Sequence, residues 1–284
     1  MRAFLLLIFI VFSISSSTIP AQTVVFPGKE VDSYIVNLLK QALSYSPEKN
    51  YQLAFYNKNL PKLRVFQSIA TNDGIDVIAA GASIDRDKIL RPIRFPIMKG
   101  LFGWRVPLVN NNNSDLFAQT LSPSTFKKLK IGQLFSWSDT KILESNNLPV
   151  EKGSHYQGLF YMLDANRFDY FPLSVMEVHD EFDNYKTLNI SIDEHILIYY
   201  PTAYLFYVNK DNKTLANDIN YGLEQSLKDG SFEQLFMQYY GKIINQTILE
   251  KRKVYKLKNP LLPQKTPLHR KELWLNLSTE EIIL

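Results

Sequence analysis

Cysteine is absent from all 284 residues. A chain without thiols forms no disulfide and offers no sulfur for a covalent lipid anchor. Any metal site would have to be built from histidine and carboxylates alone. Histidine is scarce too: His155, His179, His195 and His269 include no His-x-x-x-His pair. Gly-x-Ser-x-Gly elbows, phosphate loops and dinucleotide fingerprints are all missing. No metal and no cofactor is therefore expected. Nor is there an excess of one charge, with 32 Lys and Arg against 28 Asp and Glu. That balance gives no electrostatic case for a nucleic-acid partner.

The apolar run at residues 5–12 (LLLIFIVF) falls well short of the roughly 20 residues that span a bilayer. It follows Arg2 and precedes a Ser-rich stretch ending at Ile19-Pro20-Ala21. A basic start, a short apolar core and a small residue before the cut make a secretory signal peptide over residues 1–21. The expectation is export to the periplasm as a free monomer, with no membrane span once the signal is removed. The remaining chain is long enough for two lobes, each with its own core.

That remainder alternates strand and helix patterns. Residues 23–26 (TVVF) read as a strand closed by Pro27-Gly28. Asp32 can cap a helix carrying Ile35, Leu38, Leu39 and Leu43. A strand over 51–56, a helix after Pro61 and a buried strand over 75–80 complete a β-α-β-α-β opening, the pattern of a parallel sheet with helices on its faces. A strand over 102–109 leads into the polar loop 110–114. A second α/β unit follows, and strand 203–208 and two helices, the last stopped by Gly241, close the pattern. The expected fold class is α/β, two-lobed, with the second lobe inserted into the first and two hinge strands near 110–116 and 198–202. Lobe 1 takes residues 22–112 and 200–250, and lobe 2 takes 113–199. The Pro-containing tail, 251–284, is expected as an extended strap held by Leu261, Leu262 and Trp274.

Three passages resemble signatures of the type II solute-binding proteins, specifically the amino-acid-binding group called family 3. They are NDGIDVIAAGASIDRDK at 72–88, the Ile-Gly strand and Arg167-Phe168-Asp169 within 130–177, and the closing helices at 215–241 with their Asp-Gly-Ser-Phe junction. The resemblance covers roughly residues 23–245 and implies a periplasmic-binding-protein-like type II fold that clamps a small molecule.

The turn Gly81-Ala82-Ser83-Ile84-Asp85-Arg86 follows a buried strand, so it lies at the carboxyl end of a parallel sheet, where such folds place ligands. Gly81 lets a ligand approach the backbone, Ser83 offers a hydroxyl and Arg86 can pair bidentately with a carboxylate. The resemblance gives the Arg86 position the ligand's α-carboxylate. In the second lobe Ser136, Trp137, Ser138 and Thr140 lie between a strand and a helix, whose first amides suit an anion. Ser174 completes the expected ligand set. Family members carry a carboxylate just beyond the Asp169 position, whereas this chain has none until Glu177. Arg91 and Arg94 add positive charge in a segment where the family has Asp-Phe-x-x-Pro-Tyr. A divergent member binding an anionic or amino-acid-like solute is expected, handing it to an ABC-type permease or a membrane sensor. The competing expectation is an enzyme on the same fold using Glu177 with Asp139.

Overall fold

The structure is a computed structural model that describes residues 21–46, 49–119, 121–247, 252–277 and 281–284. The signal-peptide reading falls on residues outside that set, except for Ala21, the first residue of strand β1. The chain begins with β1 (Ala21–Pro27), α1 (Tyr34–Ser44), β2 (Asn50–Tyr56), α2 (Lys62–Ala70), β3 (Val77–Gly81), α3 (Ile84–Ile89) and β4 (Leu90–Pro92). Strands β1 and β2 pair in parallel. The Asp76 amide donates to the Val25 carbonyl (2.9 Å) and its carboxylate accepts from the Val25 amide (2.8 Å), tying β1 to the start of β3. Helix α1 forms because Tyr34, Val36, Leu38, Leu39, Ala42 and Leu43 bury one face. Its N-cap is Ser33, not Asp32, whose carboxylate accepts from Asn37 and Tyr239 instead.

The middle of the chain runs through β5 (Trp104–Asn110), α4 (Pro123–Phe126), β6 (Ile131–Leu134), α5 (Ser138–Ser145), β7 (Val150–Gly153), α6 (Tyr156–Asp164), β8 (Tyr170–Ser174), α7 (Val178–Asn184), β9 (Ile190–Ile192) and β10 (Ile196–Tyr199). It then returns through β11 (Tyr204–Asn209), α8 (Lys213–Lys228) and α9 (Ser231–Thr247). Strand β11 lies between β3 and β4, antiparallel to both, so residues 204–247 rejoin the opening unit. Helix α9 runs on past Gly241, where an added Cβ would meet only the Met237 side chain.

The first crossing differs from the sequence expectation. Strand β5 is already part of the large sheet, paired antiparallel with β8, β9 and β10. The chain therefore changes sheets over residues 93–103 rather than near 110–116. The return crossing runs from β10 to β11 over residues 200–203. Gly103 is required at the first crossing, since a Cβ there would collide with the Tyr200 carbonyl of the second.

The tail is also more than a strap. Strand β12 (Lys253–Lys256) adds in parallel to β10, and β13 (Glu281–Ile283) adds to β12, extending the large sheet by two strands. Arg252 enters this edge almost fully buried, with Nη1 donating to the Ile196 carbonyl (3.2 Å) and facing Asp193 (4.0 Å). Between the two strands the tail visits the other lobe. Arg270 grips Glu224 of α8 bidentately (2.6 and 2.9 Å), Trp274 packs against Gly100, and the Leu275 amide donates to the Lys99 carbonyl (2.8 Å). Leu261 packs against the large sheet's core, and Leu262 and Trp274 against that of the first lobe.

Candidate functional site

A cleft separates the carboxyl end of β3 from the β6–α5 turn. Three adjoining hollows of about 400 to 490 Å³ share Ser138 and make it continuous. On the first lobe Gly81, Ala82, Ser83 and Arg86 line it, with Lys62 from the start of α2. The Ala82 amide donates to the Ala203 carbonyl (2.7 Å), anchoring this turn to the return crossing. Arg86 does not pair with the neighbouring carboxylates. Its guanidinium donates to the Gly81 carbonyl and lies over the rings of Phe66 (4.5 Å) and Tyr207 (5.4 Å). A guanidinium carries five N–H donors, and Nε of Arg86 is buried with no partner. Burial, then Asp87, raises the Tyr207 phenol to about 12, so it stays a neutral platform. Desolvation, then the charge of Arg86, holds the Lys62 ammonium below its usual range. Two cations thus share one wall.

The opposite wall carries Ser136, Trp137, Ser138, Asp139, Ser174 and Glu177, with Arg105 of β5 at its base. Trp137 packs its ring 5.4 Å from Tyr156 and forms an apolar side. Arg105 Nη2 lies 2.5 Å from Asp139 Oδ1, and Nη1 lies 3.9 Å from Glu177 Oε1. Tyr200 donates its phenolic hydrogen to the same Asp139 oxygen. Desolvation opposes the Arg105 charge, but Asp139, Tyr200 and Glu177 outweigh it and the net shift is upward. Glu177 Oε1 accepts from the Ser174 amide (2.9 Å), which holds the carboxylate at the cleft lining. Lys141 of α5 also lines this side, so the wall carries two cations and two carboxylates.

No protein-family model matches the chain, and no curated protein matches it. Solved structures do. The probable amino-acid ABC transporter extracellular-binding protein YtmK of Bacillus subtilis aligns over 79% of this chain and 99% of its own, at 19% identity and a TM-score of 0.55. YckB of Bacillus subtilis aligns over 78% and 90%, at 14% identity and a TM-score of 0.50. A structure described for glutathione import through GshT and the cystine importer TcyBC of Streptococcus mutans covers 78% and 96%, at 13% identity and a TM-score of 0.50. The fold is that of the two-lobed extracellular solute-binding proteins. At such identities the likeness is one of fold alone.

Of the residues singled out from sequence, Gly81, Ser83 and Arg86 on one lobe and Ser136, Trp137, Ser138 and Ser174 on the other line the cleft. Thr140 does not. It is buried under the first turn of α5, where its hydroxyl donates to the Leu134 carbonyl (2.7 Å). The anion-binding reading of the α5 amides also changes, because Asp139 already sits in that first turn. Arg91 and Arg94 do not line the cleft hollows: Arg91 donates to the Lys210 carbonyl (2.8 Å) and Arg94 pairs with Asp87 (2.7 Å). Sequence reasoning missed Lys62 and Arg105. Arg105 had a usable signal, as the one charge in the apolar run FGWRVPLV, since a charge buried in a strand needs a partner. Among the described residues no cluster of three metal-capable side chains occurs, and no helix is long and apolar enough to cross a membrane.

Proposed function

We propose that this chain is an exported, periplasmic solute-binding protein, a divergent relative of the amino-acid-binding group, that closes two lobes on an amino-acid-like ligand. The observation that carries the reading is that two cations of one wall face two carboxylates of the other. Lys62 and Arg86 face the cleft from the first lobe, while Glu177 and the Arg105-bound Asp139 face it from the second. A zwitterion satisfies both: its carboxylate takes the Arg86 guanidinium, and its ammonium takes Glu177. Ser83, Ser136, Ser138 and Ser174 supply neutral hydrogen bonds, and Trp137 walls the side chain. Closure excludes water from this arrangement and strengthens every charged contact within it. Glu177 replaces the carboxylate missing from the 170–174 stretch, which restores an ammonium partner from a different position. The protein acts as a monomer that hands its ligand to an ABC-type permease or to a membrane sensor, without turning it over.

The test is a thermal-shift screen of the purified protein against amino acids, keto acids, small dicarboxylates and aromatic acids. A ligand at a hundred times its Kd adds about 2.7 kcal/mol of stability. The reading predicts the strongest response from an amino acid, and its loss in Arg86→Ala. Turnover of that ligand by pure protein, or a full response in Arg86→Ala, contradicts it.

A further inference from the structure

A simple zwitterion in the cleft leaves one cation unanswered. Arg86 takes the ligand's α-carboxylate and Glu177 its ammonium, so Lys62, the first residue of α2, has no counterpart. The Lys62 side chain is exposed, and among the described residues it makes no ion pair or hydrogen bond. The charge that acts on it is a second cation, Arg86. An anion beside Lys62 would offset both that repulsion and the desolvation that hold its ammonium below the usual range. Lys62 also joins the cleft to a side hollow of about 390 Å³ in the first lobe, which Pro27, Lys58, Asn59 and Leu60 line with it. Among the described residues the lining of that hollow holds two lysines and no carboxylate. Lys58 is exposed as well and stands 5.8 Å from the centre of the Tyr56 ring.

We infer that the ligand is an amino acid with a second carboxylate on its side chain, and that Lys62 is the residue that selects it. The inference rests on the zwitterion reading of the cleft. Charge balance leads to the same ligand class. The three cleft hollows are lined by four cations, Lys62, Arg86, Arg105 and Lys141, and by three carboxylates, Asp85, Asp139 and Glu177. A neutral zwitterion leaves that excess in place, whereas a ligand with one net negative charge cancels it. On the first-lobe wall Asp85 is drawn to Lys88 (2.6 Å), so it does not answer Lys62. The side hollow gives the ligand's side chain room, and Lys58 keeps the potential there positive. As the lobes close, loss of water strengthens the contact with Lys62 along with the other two.

Calorimetric titration of the purified protein with L-glutamate and L-glutamine reads the selection directly, since the two share a shape and differ in side-chain charge. L-aspartate and L-asparagine make the same comparison for a shorter side chain. In the parent, the acid of at least one pair is expected to bind about tenfold more tightly than its amide. Lys62→Gln is expected to bring that ratio to within about twofold. The inference is overturned if each amide binds as tightly as its acid. It is overturned too if Lys62→Gln weakens acid and amide equally, which would make Lys62 a lobe-closing contact and not a selective one. Should the parent bind a monocarboxylic amino acid but none of these four compounds, this inference falls and the zwitterion reading stands. A parent protein that binds no amino acid removes both.

Discussion

Replacing Arg105 by methionine tests whether the base of the cleft is held by an ion pair. The Arg105 and Asp139 side chains are only 10% and 14% exposed, and their charged atoms lie 2.5 Å apart. Methionine keeps the stem that packs beside Ile198 but strands the Asp139 carboxylate, with Tyr200 as its remaining close donor. Removing one partner of a buried pair costs roughly 3–5 kcal/mol, because the other charge stays buried without compensation. The residual exposure of Asp139 and its Tyr200 hydrogen bond put Arg105→Met at the lower end, about 3 kcal/mol. Glu177 adds little, being 3.9 Å away and 40% exposed. Arg105→Met/Asp139→Leu removes both charges and should cost only about 1 kcal/mol, chiefly for the Tyr200 hydroxyl left without its acceptor. Urea denaturation followed by tryptophan emission measures both. With a slope of about 2–3 kcal/mol per M, the single variant should lose roughly 1 M or more of midpoint. A single variant as stable as the parent refutes the reasoning, as does a double variant that loses more than the single one.

Two further expectations concern stability. Gly222 of α8 lies against α1 so closely that a Cβ would fall on the Ala42 carbonyl, so Gly222→Ala should cost about 3 kcal/mol. Gly241→Ala, inside α9 and facing only a flexible methionine, should instead gain up to about 1 kcal/mol from helix propensity; paired urea melts check both signs. The carboxylates of Asp32, Asp229 and Glu272 are hydrogen-bonded chiefly by Tyr239, Tyr45 and Arg270, which lowers each pKa below its ordinary value. A lowered folded pKa contributes stability that is complete above the unfolded value and is lost as pH falls through the folded one. The urea midpoint should therefore hold between pH 7 and about 5 and fall below about 4; a midpoint that rises on acidification contradicts this.

The opening half of the first lobe was legible because its strands and helices carry unbroken local patterns, and the turn at 81–86 follows from where β3 ends. The boundary error at β5 has a different source. The run FGWRVPLV declares a strand but not its partners, and β5 pairs with β8, β9 and β10, all much later in the chain. Strands β7, β9 and β10 are short, and β7 exposes two of its four residues, so none stands out from its neighbours. The tail's prolines correctly signal extended chain, but nothing local reveals that residues 253–256 add to 196–199. Gly241 looks like a helix stop because glycine often is one. Packing of Phe236 and Ile244 into the same core carries α9 through it. In the cleft, Ser83 and Arg86 could be placed by topology, whereas Lys62, Arg105 and Glu177 converge from distant segments.

The central claim, that the cleft reads both ends of a zwitterion, is tested most directly by calorimetric titration. The amino acid found by the thermal-shift screen is compared with its deaminated and decarboxylated analogues, on the parent protein and on Arg86→Ala and Glu177→Gln. The account predicts that each analogue binds at least about tenfold more weakly. It also predicts that Glu177→Gln weakens the amino acid but leaves the deaminated analogue unchanged. Equal binding of the three compounds, or a Glu177→Gln protein that holds the amino acid as tightly as the parent, contradicts it.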